Sequence, residues 1–168
     1  MEVKIKKKLF SEREIQKRVS ELGKEITEDY KGKELLVLCI LKGSIIFTAD
    51  LVRKIKTPLT VEYISAKNSK HNSLPDYIKD RDILIVEDII DSGKTLSYLV
   101  DYLLLKGAKS VKTATMLDKP SRRVVDFTPD YCGREIPDEF VVGYGLDYDE
   151  KYRALPYVGI LKREVYSN

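Results

Sequence analysis

A chain of 168 residues, 43% hydrophobic and 34% charged, has the length of one domain of ~100 to 200 residues and the composition of an ordinary folded protein. Its net charge of +3, from 30 basic and 27 acidic residues, falls well short of the basic surface that nucleic-acid binding demands, so no nucleic-acid partner is expected. No run approaches the ~20 apolar residues that cross a bilayer, and the basic start MEVKIKKKLF lacks the apolar stretch and cleavage site of a secretory signal, so a cytoplasmic protein without membrane association is expected.

Lys4, Lys6, Lys7 and Lys8 read as a solvated edge ahead of the first helix. From Ser11 to Gly32, Ile15, Val19, Leu22 and Ile26 fall at helical spacing, with Ser11 and Glu14 as a capping box and Gly32 as a stop. ELLVLCILKG, from Glu34 to Gly43, is a short continuous apolar run that suits a strand buried on both faces of a parallel sheet. Ser44 to Ile55 reads as a helix. Leu59 to Ser65 alternates like a strand, with Val61, Tyr63 and Ser65 on one face and Glu62 and Ile64 on the other. Ala66 to Lys79 is polar and lacks an apolar period, which predicts a long loop of the kind that forms lids.

Arg81 to Glu87 is a second buried strand, and Leu96, Leu99, Val100, Leu103 and Leu104 make the stripe of a helix that Gly107 ends. Val111 to Leu117 is a further strand. Strands alternating with helices imply α/β architecture, a parallel sheet flanked by helices, with ligands outside the carboxyl ends of the strands. Beyond Lys119 the pattern breaks at Pro120, Pro129, Gly133 and Pro137. The whole chain, 1–168, is therefore read as a single domain, its core at about 34–119 and a small irregular hood formed by the N-terminal edge and about 120–168. Cys39 and Cys132 form neither a disulfide framework nor, with His71, a zinc-ligand set, and read as reduced structural thiols.

The densest chemistry lies in VEDIIDSGKT, Val86 to Thr95. A strand that feeds a small-residue turn and opens a helix offers backbone N–H groups and a positive helix end to an anion. A nucleoside-triphosphate loop needs a glycine five residues before the Gly-Lys-Thr glycine, and that position is Asp88, which excludes it. Taken singly, Asp91 reads as a helix cap and Gly93 as turn relief. Together with Glu87 and Asp88 they describe a site for a phosphosugar, whose phosphate lies on Ser92 to Thr95 while its uncharged hydroxyls face the acids.

VEDIIDSGKT resembles the phosphoribosyl-diphosphate motif of the type I phosphoribosyltransferases. LKGS at Leu41 to Ser44, Lys119 after the next strand and EFVVGYGLDYDEKYR from Glu139 to Arg153 resemble the 6-oxopurine branch, the hypoxanthine-guanine phosphoribosyltransferases, and the similarity runs from about Phe10 to Ile160. The resemblance implies that type of fold and transfer of the phosphoribosyl group of phosphoribosyl diphosphate to hypoxanthine or guanine, giving IMP or GMP and pyrophosphate. It implies Asp91 as the catalytic general base beside the purine N7, Glu87 and Asp88 on the ribose, and Ser92, Gly93, Lys94 and Thr95 on the 5-phosphate. Lys42, Gly43 and Arg153 would bind pyrophosphate, with a cis peptide between Leu41 and Lys42. Lys119, Phe140, Val141 and Asp147 would surround the purine, Lys119 on its 6-oxo group and Phe140 stacked on its face. Magnesium is the implied cofactor, at Glu87, Asp88 and Asp147.

The resemblance also implies self-association as a homodimer or homotetramer. The sequence departs from the family at the mobile loop, which usually carries a Ser-Tyr pair; Ala66 to Lys79 is shorter and has Asn68-Ser69 near that place, with Tyr77 as the candidate substitute. Two alternatives stand beside the main reading: a nucleotide-sensing, RNA-binding regulator on the same fold, and a transferase for another base such as xanthine.

Overall fold

A computed structural model describes residues 4–65 and 76–167. Along the chain follow β1 (Ile5–Phe10), α1 (Glu12–Asp29), β2 (Leu35–Leu41), α2 (Ile45–Val52), β3 (Leu59–Ser65), β4 (Asp82–Ile90), α3 (Lys94–Leu105), β5 (Ser110–Asp118), β6 (Tyr131–Glu135), β7 (Val141–Val142) and β8 (Val158–Leu161).

The first helix starts where its capping box puts it. Glu14 N–H donates to Ser11 Oγ at 3.2 Å and Ser11 N–H donates to Glu14 Oε2 at 2.9 Å, which satisfies two of the orphan donors of the first turn. Ile15, Val19, Leu22 and Ile26 are all fully buried. Each such side chain contributes ~1.5 to 3 kcal/mol over its exposed state, so this face fastens α1 to the sheet.

Five strands form the main sheet in the order β3-β2-β4-β5-β6, every pair parallel. The apolar runs of β2 and β4 divide by parity. Leu35 and Val37, with Leu84 and Val86, pack beneath α1 and α2; Leu36, Leu38 and Ile40, with Ile83 and Ile85, pack against Leu96, Leu99 and Leu103 of α3. Both faces are thus covered, which is why these strands carry no polar alternation. α3 ends on Gly107, with Gly107 N–H bonded to Leu104 O and Ala108 N–H to Leu103 O.

The sheet extends beyond the boundary expected near Lys119. Tyr131 to Glu135 pairs with β5 as the outermost strand, Ala114 beside Tyr131 and Asp118 beside Glu135. Only five residues long and interrupted by Gly133, it shows too little period to register in sequence; Gly133 lies so close to β5 that an added Cβ would meet Met116 O at 2.3 Å. The N-terminal edge is a strand: β1, β8 and β7 form a separate antiparallel sheet in the order β1-β8-β7, the lysines of β1 along its outer edge. Among the described residues no helix is long and apolar enough to cross a membrane.

Candidate active site

All five parallel strands end on the same side, so the segments after Leu41, Ile90, Asp118 and Glu135 cluster there. β2 continues through α2 toward β3 on one side, and β4 continues through α3 toward β5 on the other. The connections diverge between β2 and β4, and a crevice opens where they part. The turns after these two strands hold most of the residues singled out in the sequence.

After β4, Asp91 to Gly93 turn the chain into α3. Gly93 sits just before the helix at φ +81°, a left-handed conformation that other side chains rarely adopt. The carbonyls of Ile90, Asp91 and Ser92 accept hydrogen bonds from Lys119 N–H (2.9 Å), Arg123 Nη1 (2.9 Å) and Val124 N–H (3.0 Å). On the turn's other side lies a pocket of about 300 Å³, lined from Glu87 round to Leu96 and including Asp91, Ser92, Gly93 and Thr95. Lys94 does not line it; its N–H instead donates to Ser92 Oγ at 3.3 Å.

Glu87 reaches both this pocket and a second cleft of about 570 Å³, where Asp88 meets Leu41 to Gly43 and Asp147, Glu150 and Arg153. Burial pushes both carboxyls above the usual carboxylate range, Glu87 well above it with the Asp88 charge adding to the effect. Asp88 Oδ1 accepts from Ile89 N–H at 2.6 Å, and Glu87 Oε1 accepts from Asp88 N–H at 3.0 Å. The peptide between Leu41 and Lys42 is cis. Gly43 is pressed between two neighbours: a Cβ on it would lie 1.7 Å from Asp88 Oδ2, and a Cβ on Gly145 would lie 2.2 Å from Gly43 O.

The same cleft gathers the charges of the 147–153 segment. Arg153 donates to Gly145 O at 2.7 Å and pairs with Asp147 at 3.4 Å and Glu150 at 3.3 Å. Lys42 Nζ lies 3.3 Å from Glu150 Oε2, so Glu150 bridges the two cations across the cleft. Hydrogen bonds from Arg153 first and Lys42 next hold its carboxyl below the ordinary range.

Lys119, mostly buried, stands between two carboxylates, 3.8 Å from Asp91 Oδ1 and 3.9 Å from Asp138 Oδ1. Phe140 stacks on Tyr166, centroids 4.8 Å apart, and meets Tyr148 edge-on at 5.6 Å. Val141 is buried and paired with Ile160 of β8.

The candidate residues therefore fall into groups: Asp91, Ser92, Gly93 and Thr95 at the small pocket, Lys42, Gly43, Glu87, Asp88, Asp147 and Arg153 at the cleft, and Lys119 beside Asp91. The lid expected at Ala66 to Lys79, with Asn68-Ser69, lies outside the described residues up to residue 75. Tyr77 is described, and packs against the cluster that holds Leu36 and Leu38. Three residues of this region escape sequence reading. Glu150 sits in a charged surface-like run, Asp138 is an ordinary loop acid, and Arg123 follows another arginine in a loop; only their distant partners mark them out.

The phosphoribosyl transferase domain model matches residues 7–149. The hypoxanthine-guanine phosphoribosyltransferase of Bacillus subtilis is 49% identical, over 98% of this chain and 97% of its own length. The bifunctional protein TilS/HprT of Listeria monocytogenes is 48% identical over 97% of the chain, which spans only 27% of that longer protein. A hypoxanthine phosphoribosyltransferase structure from Staphylococcus aureus superposes with a TM-score of 0.90 at 44% identity, covering 97% of this chain and 96% of that one. Strand order, the turn after β4 and the close kinship agree, and the chain belongs to the phosphoribosyltransferase family, in its hypoxanthine-guanine branch.

Proposed function

We propose that this protein is a purine-salvage enzyme that transfers the 5-phosphoribosyl group of phosphoribosyl diphosphate to N9 of hypoxanthine or guanine, yielding IMP or GMP and pyrophosphate. The observation that carries this reading is the position of Asp91. Its backbone belongs to the turn that opens α3, while its carboxylate lies 3.8 Å from the ammonium of Lys119, which supports a reading in which a phosphate subsite and a base-reading lysine meet at one acid.

In this reading the backbone N–H groups and hydroxyls of Ser92 to Thr95 hold the 5-phosphate, and Glu87 and Asp88 accept the ribose hydroxyls. Lys119 donates to the purine 6-oxo group, which an adenine amino group cannot reciprocate. Phe140 covers one face of the base and the Val141 backbone meets its edge; stacking of this kind contributes ~1 to 3 kcal/mol per base. As the bond from C1 to pyrophosphate breaks and that from C1 to N9 forms, Asp91 takes the purine proton. Lys42, the Gly43 amide and Arg153 stabilise the charge that gathers on the departing pyrophosphate.

The acids fit magnesium. Two of them are held above the carboxylate range by burial, a penalty that an approaching cation relieves. Among the described residues no three His, Cys, Asp or Glu side chains converge into a cage, which agrees with an ion that takes one or two carboxylates and fills its shell with water and phosphate oxygens. Glu87 and Asp88 would hold one ion and Asp147 a second, and when bound they would supply neutralisation of the diphosphate charge. The proposal extends to a cytoplasmic location and to self-association as a dimer or tetramer, the latter checked by sedimentation.

Incubation with phosphoribosyl diphosphate, magnesium and each purine in turn tests the reading. IMP or GMP should form and AMP should not. If no 6-oxopurine yields a nucleotide, the proposal fails, and salt-dependent RNA affinity in its place would indicate a regulator. Asp91→Asn should slow turnover by about 10²- to 10⁴-fold, the usual share of general base catalysis, while leaving phosphate binding nearly intact.

A further inference from the structure

We infer that Arg123 is a positioning residue of the phosphate turn: anchored by Asp118, it aims the turn's N–H groups at the 5-phosphate and ties them to the lysine that reads the base. The inference rests on the reading of Asp91 to Thr95 as the 5-phosphate subsite.

In a trans peptide the carbonyl of one residue and the N–H of the next point in opposite directions. Among the described residues the only cis bond is Leu41–Lys42, so this holds throughout the turn. The carbonyls of Ile90, Asp91 and Ser92 all face the 119–124 segment, where Lys119 N–H, Arg123 Nη1 and Val124 N–H hold them. The N–H groups of Asp91, Ser92 and Gly93 are therefore turned away from that segment. Their side is that of the 300 Å³ pocket, which no residue of 119–124 lines. The segment acts as a backing plate for the cradle.

Two of its three bonds come from the main chain and need only the local fold. The third comes from a side chain that has been fixed in place. Arg123 Nη2 forks onto both oxygens of the buried Asp118 at 2.7 and 2.9 Å, and its Nε donates to Phe127 O at 2.8 Å. All three nitrogens are engaged, so the guanidinium has no freedom to leave Asp91 O. The fit is also steric: a Cβ on Gly93 would approach Arg123 Cδ at 2.8 Å, so the stem of the arginine lies directly beneath the turn.

A plain fold-stabilising ion pair would need only Asp118. Here the charged donor spends one arm on the peptide between Asp91 and Ser92, and a charged donor on a carbonyl polarises the same peptide's N–H into a stronger donor. Because Lys119 begins the same segment, a shift of the cradle and a shift of the base-reading ammonium become one motion.

Arg123→Lys tests this, since lysine keeps the charge against Asp118 but cannot fork to three acceptors. Calorimetric affinities for IMP and for inosine, which lacks the phosphate, should be measured on both proteins. The ratio of the two is unaffected by any loss of folded protein. Affinity for IMP should fall about ten- to hundredfold, the scale of a lost charge-assisted bond, while that for inosine moves less than about threefold. The Michaelis constant for phosphoribosyl diphosphate should rise in step. Asp118→Asn, which loosens the arginine without removing it, should shift the ratio in the same direction by less, and serves should the lysine variant not fold. An unchanged ratio in both variants, or equal losses for IMP and inosine, overturns the inference. A wild-type protein that binds inosine as well as IMP would instead overturn the phosphate-turn reading beneath it.

Discussion

Gly43→Ala adds one methyl group at the point where the loop after β2 meets the acids of β4. The new Cβ would lie 1.7 Å from Asp88 Oδ2 and 2.8 Å from Asp88 Cγ, against an ordinary contact of 3.4 Å or more. The loop cannot back away, because Gly43 O already abuts Gly145, where a Cβ would stand only 2.2 Å from it. Asp88 must therefore swing by well over 1 Å and surrender the 2.6 Å bond from Ile89 N–H. Overpacking of this kind costs about 1 to 3 kcal/mol of stability, a few degrees of melting temperature for a chain of this size. The larger effect falls on catalysis: a displacement of about 1 Å in a positioned group costs on the order of 10²-fold, or roughly 2.7 kcal/mol of barrier. Steady-state transfer rates over a range of magnesium and phosphoribosyl diphosphate concentrations, with a thermal melt of each protein, give both numbers. Gly32→Ala is the control, since Gly32 has φ +76° but nothing within 4 Å of a Cβ, and only its melt should move. A Gly43→Ala enzyme within threefold of wild type would refute the claim that this contact sets the position of Asp88.

Lys119→Gln should lower kcat/KM for hypoxanthine by about 10- to 100-fold, as expected for a lost hydrogen bond from a charged donor, and should narrow discrimination against adenine; competition assays with both bases would reveal unaltered selectivity if the lysine does not read the base. Glu150→Gln removes the carboxylate that bridges Lys42 and Arg153, and since exposed ion pairs are weak, affinity for pyrophosphate should rise only about two- to fivefold. Product-inhibition kinetics would detect it, and weaker inhibition by pyrophosphate would show that Glu150 assists the ligand rather than competing with it. Burial, with the charges of Asp118 and Glu135, pushes the Cys132 thiol up to about 11. Its folded-state value lies above the unfolded one of 9.0, so the fold favours the neutral thiol, and that contribution is complete below pH ~9 and lost as pH climbs toward 11. Iodoacetamide should label folded Cys132 at pH 8 roughly a hundredfold more slowly than an open thiol, and rapid labelling located there by mass spectrometry would contradict the burial.

Local chemistry was readable wherever a residue's role depends on near neighbours. The Ser11–Glu14 box, the apolar parity of β2 and β4, the Gly107 stop and the acid-and-glycine turn of Val86 to Thr95 all express interactions within a few residues, or burial strong enough to leave a run of apolar side chains. The sixth strand carried no such mark, because five residues around a glycine become a strand only when β5 offers its edge. The two-residue β7 depends in the same way on β8.

At the site, residue types and their order along the chain specified a phosphosugar, and the family resemblance specified its base. What only the tertiary structure decided is which charges face which. Lys42 and Glu150 are 108 residues apart in sequence, Arg123 and Asp91 are 32 apart, and Phe140 stacks on Tyr166, which lies beyond the last strand. A side chain records its own chemistry but not its distant partner, because that partner is chosen by how β2, β4 and β5 align their ends, and the alignment comes from packing summed over both faces of the sheet.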